Sequence, residues 1–387
     1  MAAERRVRLL LVINQFGQGG SERYVFELCS ALDRAKFDVN ILTRKGVDRA
    51  AHYYPRIVAA GVKIHAIRPH VPEFRSLAPS LAVRKKYRVI RHRVSSALAR
   101  WRIGTFLDSF DLVACIQIEN YLGLQHAFRH DQPVVIHAMS NRFQYAYDPY
   151  DEFRPDREYR FVTWNVTQVE EMAVLRRANT FSWPLSMNFR DYPVLPAPSR
   201  NGGPLKIGIF TRLSREKPLE PLFASFAQLL SRVDATLHVY GGGDATLFAD
   251  DIARLGISDR VYFEGHRENM IDTARRDDLS MCWLMSLGTL LGYASLELAA
   301  CGMPMVFWNY GSWNTDRIRV ETGGAVNSFS SVADFVAFSS ECLMDHARLS
   351  EVGDRLRRFV LDKHDIEKNI PALEDYYLGV VRNAGYP

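Results

Sequence analysis

Two cations five residues apart are the strongest chemical signal in the sequence. In Phe210-Thr211-Arg212-Leu213-Ser214-Arg215-Glu216-Lys217-Pro218 a strand pattern runs into a turn and then a helix start. Arg212 and Lys217 would there straddle a diphosphate, the one as a planar fork of donors and the other as a point charge; on a solvated loop they would be ordinary surface charge. Gly241, Gly242 and Gly243 end the next strand pattern and leave its backbone bare, at the carboxyl edge where ligands gather in parallel sheets. Glu297 lies in Ser295-Leu296-Glu297-Leu298-Ala299-Ala300. A carboxylate on an otherwise apolar helix is costly to bury unless something donates to it, which a cap or an ion pair would also do.

The first half has its own candidates. In Asn14-Gln15-Phe16-Gly17-Gln18-Gly19-Gly20-Ser21-Glu22-Arg23, glycines would let backbone N–H groups at a helix N-terminus approach a phosphate or a sugar; a plain tight turn would need them as well. It is no dinucleotide fingerprint. Glu22 stands where the third glycine belongs, and the strand over 39–43 ends in Thr43-Arg44-Lys45, without a ribose-binding carboxylate. His137 ends a strand pattern and could bind a hydroxyl or steady charge, or be a satisfied structural histidine. Glu119 and Asn120 stand at the end of the preceding strand pattern. No Asp-x-Asp occurs, and Asp250-Asp251 and Asp277-Asp278 fall in helical, exposed contexts. A metal-bridged diphosphate is therefore not expected, nor any cofactor; Arg212, Lys217 and helix dipoles would replace the ion.

These residues need a scaffold. With 387 residues the chain exceeds a single core, which stops growing at roughly 250–300 residues. Hydrophobic residues make up 47% and charged ones 24%, a globular balance that excludes disordered and fibrous classes. Short aliphatic runs over 7–13, 39–43, 62–67, 112–117, 134–138 and 161–165 read as strands buried on both faces, alternating with helical patterns such as 21–32, so a parallel sheet is expected. The stretch 183–204 carries five prolines and Asn201-Gly202-Gly203, too many breakers for a helix or inner strand, and marks the domain boundary. Strand patterns restart over 205–210, 236–240, 261–264, 279–283 and 305–307, with a helix over 219–230. Helical patterns over 331–344, 348–361 and 366–381 follow, with no strand signal after about Val326.

Five cysteines, Cys29, Cys115, Cys282, Cys301 and Cys342, are odd in number and form no Cys-x-x-Cys pair, which suits a reducing compartment. Met1-Ala2-Ala3-Glu4-Arg5-Arg6 runs straight into an apolar strand pattern without a small-residue cleavage site, so no signal peptide is expected. The apolar stretch 290–308 contains Glu297, Gly302 and Pro304 and is not expected to span a bilayer. A net charge of +5 suits anionic ligands and is too dispersed for a nucleic-acid binder. Between Arg84 and Arg102 eight cations and no carboxylate flank an apolar stripe. Such a helix can lie peripherally on an anionic membrane, or dock on its own core with a solvated basic face.

Four motifs in register turn this pattern into a resemblance. Gly19-Gly20-Ser21-Glu22-Arg23, Arg212-Leu213-Ser214-Arg215-Glu216-Lys217, Leu255-Gly256-Ile257-Ser258-Asp259-Arg260-Val261-Tyr262-Phe263-Glu264-Gly265 and Ser295-Leu296-Glu297-Leu298-Ala299-Ala300-Cys301-Gly302-Met303-Pro304 resemble the retaining glycosyltransferases of family 4 over nearly the whole chain. The resemblance implies an α/β fold of the GT-B type, two Rossmann-like βαβ domains facing across a cleft. Residues 1–187 would form the acceptor-side domain, 188–204 the linker, 205–365 the nucleotide-sugar-binding domain, and 366–387 a helix crossing back to the N-terminal domain.

It also implies roles. Arg212 and Lys217 would contact the donor diphosphate and Glu297 the ribose hydroxyls. Gly265, His266 and Met270 would border the base, with Gly241, Gly242, Thr289, Leu290 and Leu291 completing the donor site. Gly19, Gly20, Glu119, Asn120 and His137 would lie on the sugar and acceptor side, His137 being grouped with Arg212, Lys217 and Glu297 as catalytic. The sequence departs from the family at Thr289, where the first of two glutamates eight positions apart normally contacts the donor sugar. The activity implied is transfer, with retention and without metal, from a nucleotide diphosphate sugar, UDP before GDP, to a glycan or lipid-linked acceptor in surface polysaccharide or glycolipid synthesis. The location implied is cytoplasmic, at the inner face of the membrane. Thr289 keeps open a non-catalytic binding or scaffold protein, and a nucleotide-sugar epimerase or hydrolase would use the same architecture.

Overall fold

The computed structural model describes residues 5–17, 19–66, 103–140, 148–154, 157–164, 178–198, 202–214, 217–286, 291–309 and 315–385. The basic segment 84–102 and the pair Thr289 and Leu290 lie outside them. The chain forms two compact units, Met1–Ser186 with Ile366–Pro387, and Met187–Asp365.

In the first unit the aliphatic runs become β1 (Val7–Ile13), β2 (Phe37–Thr43), β3 (Lys63–Ala66), β4 (Leu112–Ile116), β5 (Val134–Ala138), β6 (Tyr159–Thr163) and β7 (Ala178–Ser182). They lie in the order β3-β2-β1-β4-β5-β6-β7, each neighbouring pair parallel. Parallel strands require crossovers, and α1 (Gly20–Ala31), α2 (Tyr54–Ala59) and α3 (Ile118–Leu124) stand among them. Strand β7 is absent from the sequence reading. It holds the sheet edge, and Asn179 and Thr180 interrupt the apolar run that marks an inner strand. Strand β6 begins two residues before the expected 161, and residue 165 of that expectation lies outside the described residues.

The second unit repeats the arrangement with β8 (Leu205–Phe210), β9 (Ala235–Tyr240), β10 (Val261–Gly265), β11 (Met281–Ser286), β12 (Met305–Asn309) and β13 (Ser328–Phe329), ordered β10-β9-β8-β11-β12-β13 and again parallel. Its helices are α4 (Glu220–Leu229), α5 (Ala249–Arg254), α6 (Met270–Arg276), α7 (Tyr293–Ala300), α8 (Thr315–Glu321), α9 (Val332–Met344) and α10 (His346–Lys363). Side-chain caps start three of them: Asn269, Ser331 and Asp345 accept backbone N–H groups of α6, α9 and α10. Phe223, Phe226, Trp283 and Phe335 are fully buried, with the Trp283 and Phe335 rings edge to face at 4.9 Å. The expectation of no strand after Val326 is corrected by β13, two residues at the edge and too short for a sequence pattern. The stretch expected as a linker over 188–204 belongs in its described part to this unit, where the Leu195 N–H donates to the Cys301 carbonyl at 2.8 Å.

The last helix, α11 (Ile366–Asn383), belongs to the first unit. Buried Glu374 accepts the Asp33 N–H and the Lys36 ammonium, each at 2.7 Å, and the Trp183 indole donates to the Asn369 carbonyl at 2.9 Å. Among the described residues no helix is long and apolar enough to cross a membrane.

Candidate functional site

In the second unit the carboxyl ends of β8, β9 and β10 are stitched together by backbone hydrogen bonds. Thr211 N–H donates to Tyr240 O, Leu213 N–H to Gly242 O and Gly241 N–H to Gly265 O, each at 2.9 Å. The stitching depends on glycine. A Cβ at Gly241 would stand 1.7 Å from the Thr211 oxygen, and one at Gly243 would stand 2.1 Å from the Leu213 oxygen. No side chain fits between two loops this close.

Beside these loops opens a cavity of about 500 Å3, lined among others by Arg212, Gly241, Gly242, His266, Arg267, Met270 and Ala294. Phe210 and Tyr240 stack at 4.7 Å in its wall. The Tyr240 hydroxyl donates to Asp277 at 2.9 Å, and burial holds that phenol well above its ordinary range. Glu264 accepts from the Arg267 guanidinium at 3.3 Å and pairs with His238 Nδ1 at 2.9 Å, so Arg267 reaches the cavity braced from behind. An aromatic floor, an exposed guanidinium and bare backbone can together hold a flat ring attached to an anion.

Six residues singled out from the sequence thus meet in one place: Arg212, Gly241, Gly242, Gly243, His266 and Met270. Gly265 ends β10 on the same edge. Lys217, half-buried, stands in the following turn, its N–H donating to Ser214 O at 3.0 Å. Glu297 lies on α7 one turn beyond Ala294, half-buried, and accepts from the Tyr192 hydroxyl at 2.9 Å. Leu291 is buried, while Thr289 and Leu290 lie outside the described residues. Asp277, expected on an exposed helix, instead closes α6 and accepts from Arg276 and Tyr240; the Arg276 hydrogen bond holds its carboxyl below the usual range.

The first unit corrects several expectations. His137 is fully buried, with Nδ1 2.7 Å from the Tyr24 hydroxyl and Nε2 2.7 Å from the Tyr377 hydroxyl. A neutral imidazole has one donor and one acceptor nitrogen, so one tyrosine donates and the other accepts. Burial pushes its pKa down to about 3. The expected sugar-facing, catalytic histidine is therefore a satisfied core residue. Asn120, 1% exposed, is also turned inward: its amide donates to Ile116 O and its Oδ1 accepts from Arg44 at 3.3 Å. Glu119 is exposed, its carbonyl accepting from the same guanidinium at 2.9 Å.

Gly19 caps α1 and Gly20 is its first residue. The Glu22 carboxylate folds back beneath this turn, so that a Cβ at Gly19 would meet Glu22 Oε2 at 2.5 Å, and the Ser21 hydroxyl donates to the same oxygen at 2.9 Å. A carboxylate already sits where the helix N-terminus would draw an anion, which favours sugar hydroxyls over phosphate there. Gln117, which the sequence does not mark, joins β4 to α3 at φ 80° and ψ 146°, a strained conformation for a residue other than glycine. All five cysteines are buried and free; burial holds Cys29 and Cys301 at about 12, so neither offers a ready thiolate.

Residues 204–345 match the family model described as glycosyl transferases group 1, a span that contains every residue lining the cavity. The sequence matches none of the curated proteins. Among solved structures, sucrose-phosphate synthase from Thermosynechococcus elongatus superposes with a TM-score of 0.68 at 17% identity, covering 98% of this chain and 100% of that one. HepE from Anabaena, in complex with UDP and glucose, gives 0.64 at 13% identity over 95% and 99%. The lipopolysaccharide outer core galactosyltransferase WaaB gives 0.65 at 15% identity over 97% and 98%. At such identities the likeness is one of fold, and the fold is GT-B, with two Rossmann-like domains each built on a parallel sheet.

Proposed function

We propose, on the premise that the second unit carries a group 1 glycosyl transferase domain within a GT-B chain, that the protein transfers a sugar from a nucleotide diphosphate sugar to a glycan or lipid-linked acceptor. The observation that carries this reading is the 500 Å3 cavity, where Arg212 stands beside backbone left bare by Gly241 and Gly242. UDP is the favoured nucleotide, with GDP kept open; HepE is described with UDP. The diphosphate would lie against Arg212 and Lys217, the ribose hydroxyls would donate to Glu297, and the base would border Gly265, His266 and Met270.

Two cations, Arg212 and Lys217, supply the positive charge that a metal would otherwise bring to the leaving diphosphate, so the transfer is read as metal-independent. With retention, the bond from the anomeric carbon to the leaving phosphate oxygen breaks, the acceptor oxygen bonds on the same face, and its proton passes to the departing phosphate. No protein base is then required. The galactosyltransferase WaaB acts on lipopolysaccharide outer core by its description, which supports a role in surface polysaccharide or glycolipid assembly. A cytoplasmic location, with segment 84–102 against the inner face of the membrane, belongs to the same proposal.

Thr289 favours a second reading, a glycosyltransferase-like protein that binds donor without turning it over. Calorimetry against UDP, GDP, CMP and their sugar conjugates, with and without a divalent metal, tests the first. Selective, metal-independent binding of one nucleotide diphosphate sugar supports it, and binding by none refutes it. Donor turnover then separates transferase from binding protein.

A further inference from the structure

Glu297 is held by a residue more than a hundred positions away. Tyr192 lies in the proline-rich stretch of the second unit, and its hydroxyl donates to Glu297 Oε1 at 2.9 Å. The stretch is pinned along α7: Leu195 N–H donates to Cys301 O at 2.8 Å, and the Tyr192 ring packs edge-on against Phe189 at 6.1 Å. From the other side Arg357 donates to Ala300 O at 2.9 Å, and α10 approaches so closely that a Cβ at Gly353 would stand 2.2 Å from the Gly302 oxygen. The helix that carries Glu297 is thus clamped at its carboxyl end, and the clamp delivers a phenol to the carboxylate.

A hydrogen bond to a carboxylate oxygen selects one rotamer among several. The hydrogen bond from Tyr192 orients a group whose two oxygens suit a vicinal diol. We propose that Tyr192 is a positioning residue for the ribose-binding carboxylate, setting the preference of the site for ribonucleoside diphosphates over deoxy analogues. This rests on the donor-site reading above.

The test is calorimetry with UDP and 2′,3′-dideoxy-UDP on the wild-type chain, Tyr192→Phe, Glu297→Gln and the double variant. Tyr192→Phe keeps the ring on Phe189 and is expected to hold its melting temperature. Its UDP affinity falls roughly fivefold to tenfold while dideoxy-UDP binds as before, so the ribose preference collapses. The double variant is no weaker than Glu297→Gln alone. A folded Tyr192→Phe chain that keeps the wild-type preference overturns the inference and leaves the donor site standing. A wild-type chain that binds UDP without ribose preference overturns the role of Glu297 and this inference together; one that binds neither UDP nor GDP overturns the donor-site reading itself.

Discussion

Gly241 gives the sharpest test of the cavity, because its neighbour in sequence supplies the control. A Cβ at Gly241 would stand 1.7 Å from the Thr211 oxygen, whereas one at Gly242 meets only the His266 Cβ, at 3.9 Å. Real Cβ atoms essentially never come within 3.0 Å of such an atom, so Gly241→Ala must part the two loops by at least about 1.3 Å. Thr211 immediately precedes Arg212, and a misplacement of about 1 Å can cost on the order of 100-fold. One charge-assisted hydrogen bond is worth roughly 1.5–3 kcal/mol, so its loss raises the Kd for UDP about 10- to 150-fold. Overpacking of roughly 1–3 kcal/mol lowers the melting temperature by roughly 2–12 °C. Gly242→Ala, whose Cβ has room, should keep the melting temperature of wild type. Calorimetry on the three proteins, with circular dichroism to confirm folding, decides the matter. A folded Gly241→Ala chain that binds UDP within about twofold of wild type, or a Gly242→Ala chain whose melting temperature falls as far as that of Gly241→Ala, would refute the reasoning.

Other outcomes follow from the same geometry. Arg212→Ala and Lys217→Ala should each weaken nucleotide diphosphate binding while leaving the melting temperature near wild type; unchanged affinity in calorimetry would move the site elsewhere. His137 should make acid stability steep: its pKa is about 3 when folded against an ordinary 6.5, so the unfolded chain takes up the proton first as pH falls. Stability should drop by about 1.4 kcal/mol per pH unit between roughly 6.5 and 3 from this group, with no contribution above that window. Urea unfolding at a series of pH values should show that slope, and His137→Gln should remove it. Tyr377→Phe leaves the imidazole one partner short and should destabilise the fold by roughly 1–3 kcal/mol without altering UDP affinity.

How far the sequence could be read follows from what strand rhythm encodes. The alternation of aliphatic runs with helical patterns shows which residues end strands, and for Arg212, Gly241 and Gly242 that position is enough, since both loops line the cavity. For His137 and Asn120 it is not. Whether a ring at a strand end turns toward solvent or core depends on partners far away in sequence, Tyr24 and Tyr377 lying 113 and 240 positions from His137. Tyr192 was invisible for the same reason, standing 105 positions from Glu297 in a stretch that reads as a breaker run. The turn at Gln117 left no trace because glutamine carries no preference for positive φ. Edge strands β7 and β13 escaped through polar content and brevity, both of which erase the apolar run that marks a buried strand.

The return of α11 to the first unit has a consequence for synthesis. Emerging from the ribosome, the first 186 residues contain all seven strands β1–β7 of the first sheet but not the segment that supplies Tyr377, Glu374 and the Asn369 carbonyl. Until Met187–Asp365 has been translated, His137 and the Trp183 indole stay short of a partner, and the apolar groove awaiting α11 stays open. At roughly 5–20 residues per second that wait lasts on the order of 10–40 s. Nascent chains of this protein should therefore pass through a window in which their amino-terminal part is collapsed yet adhesive, closed only when α11 arrives.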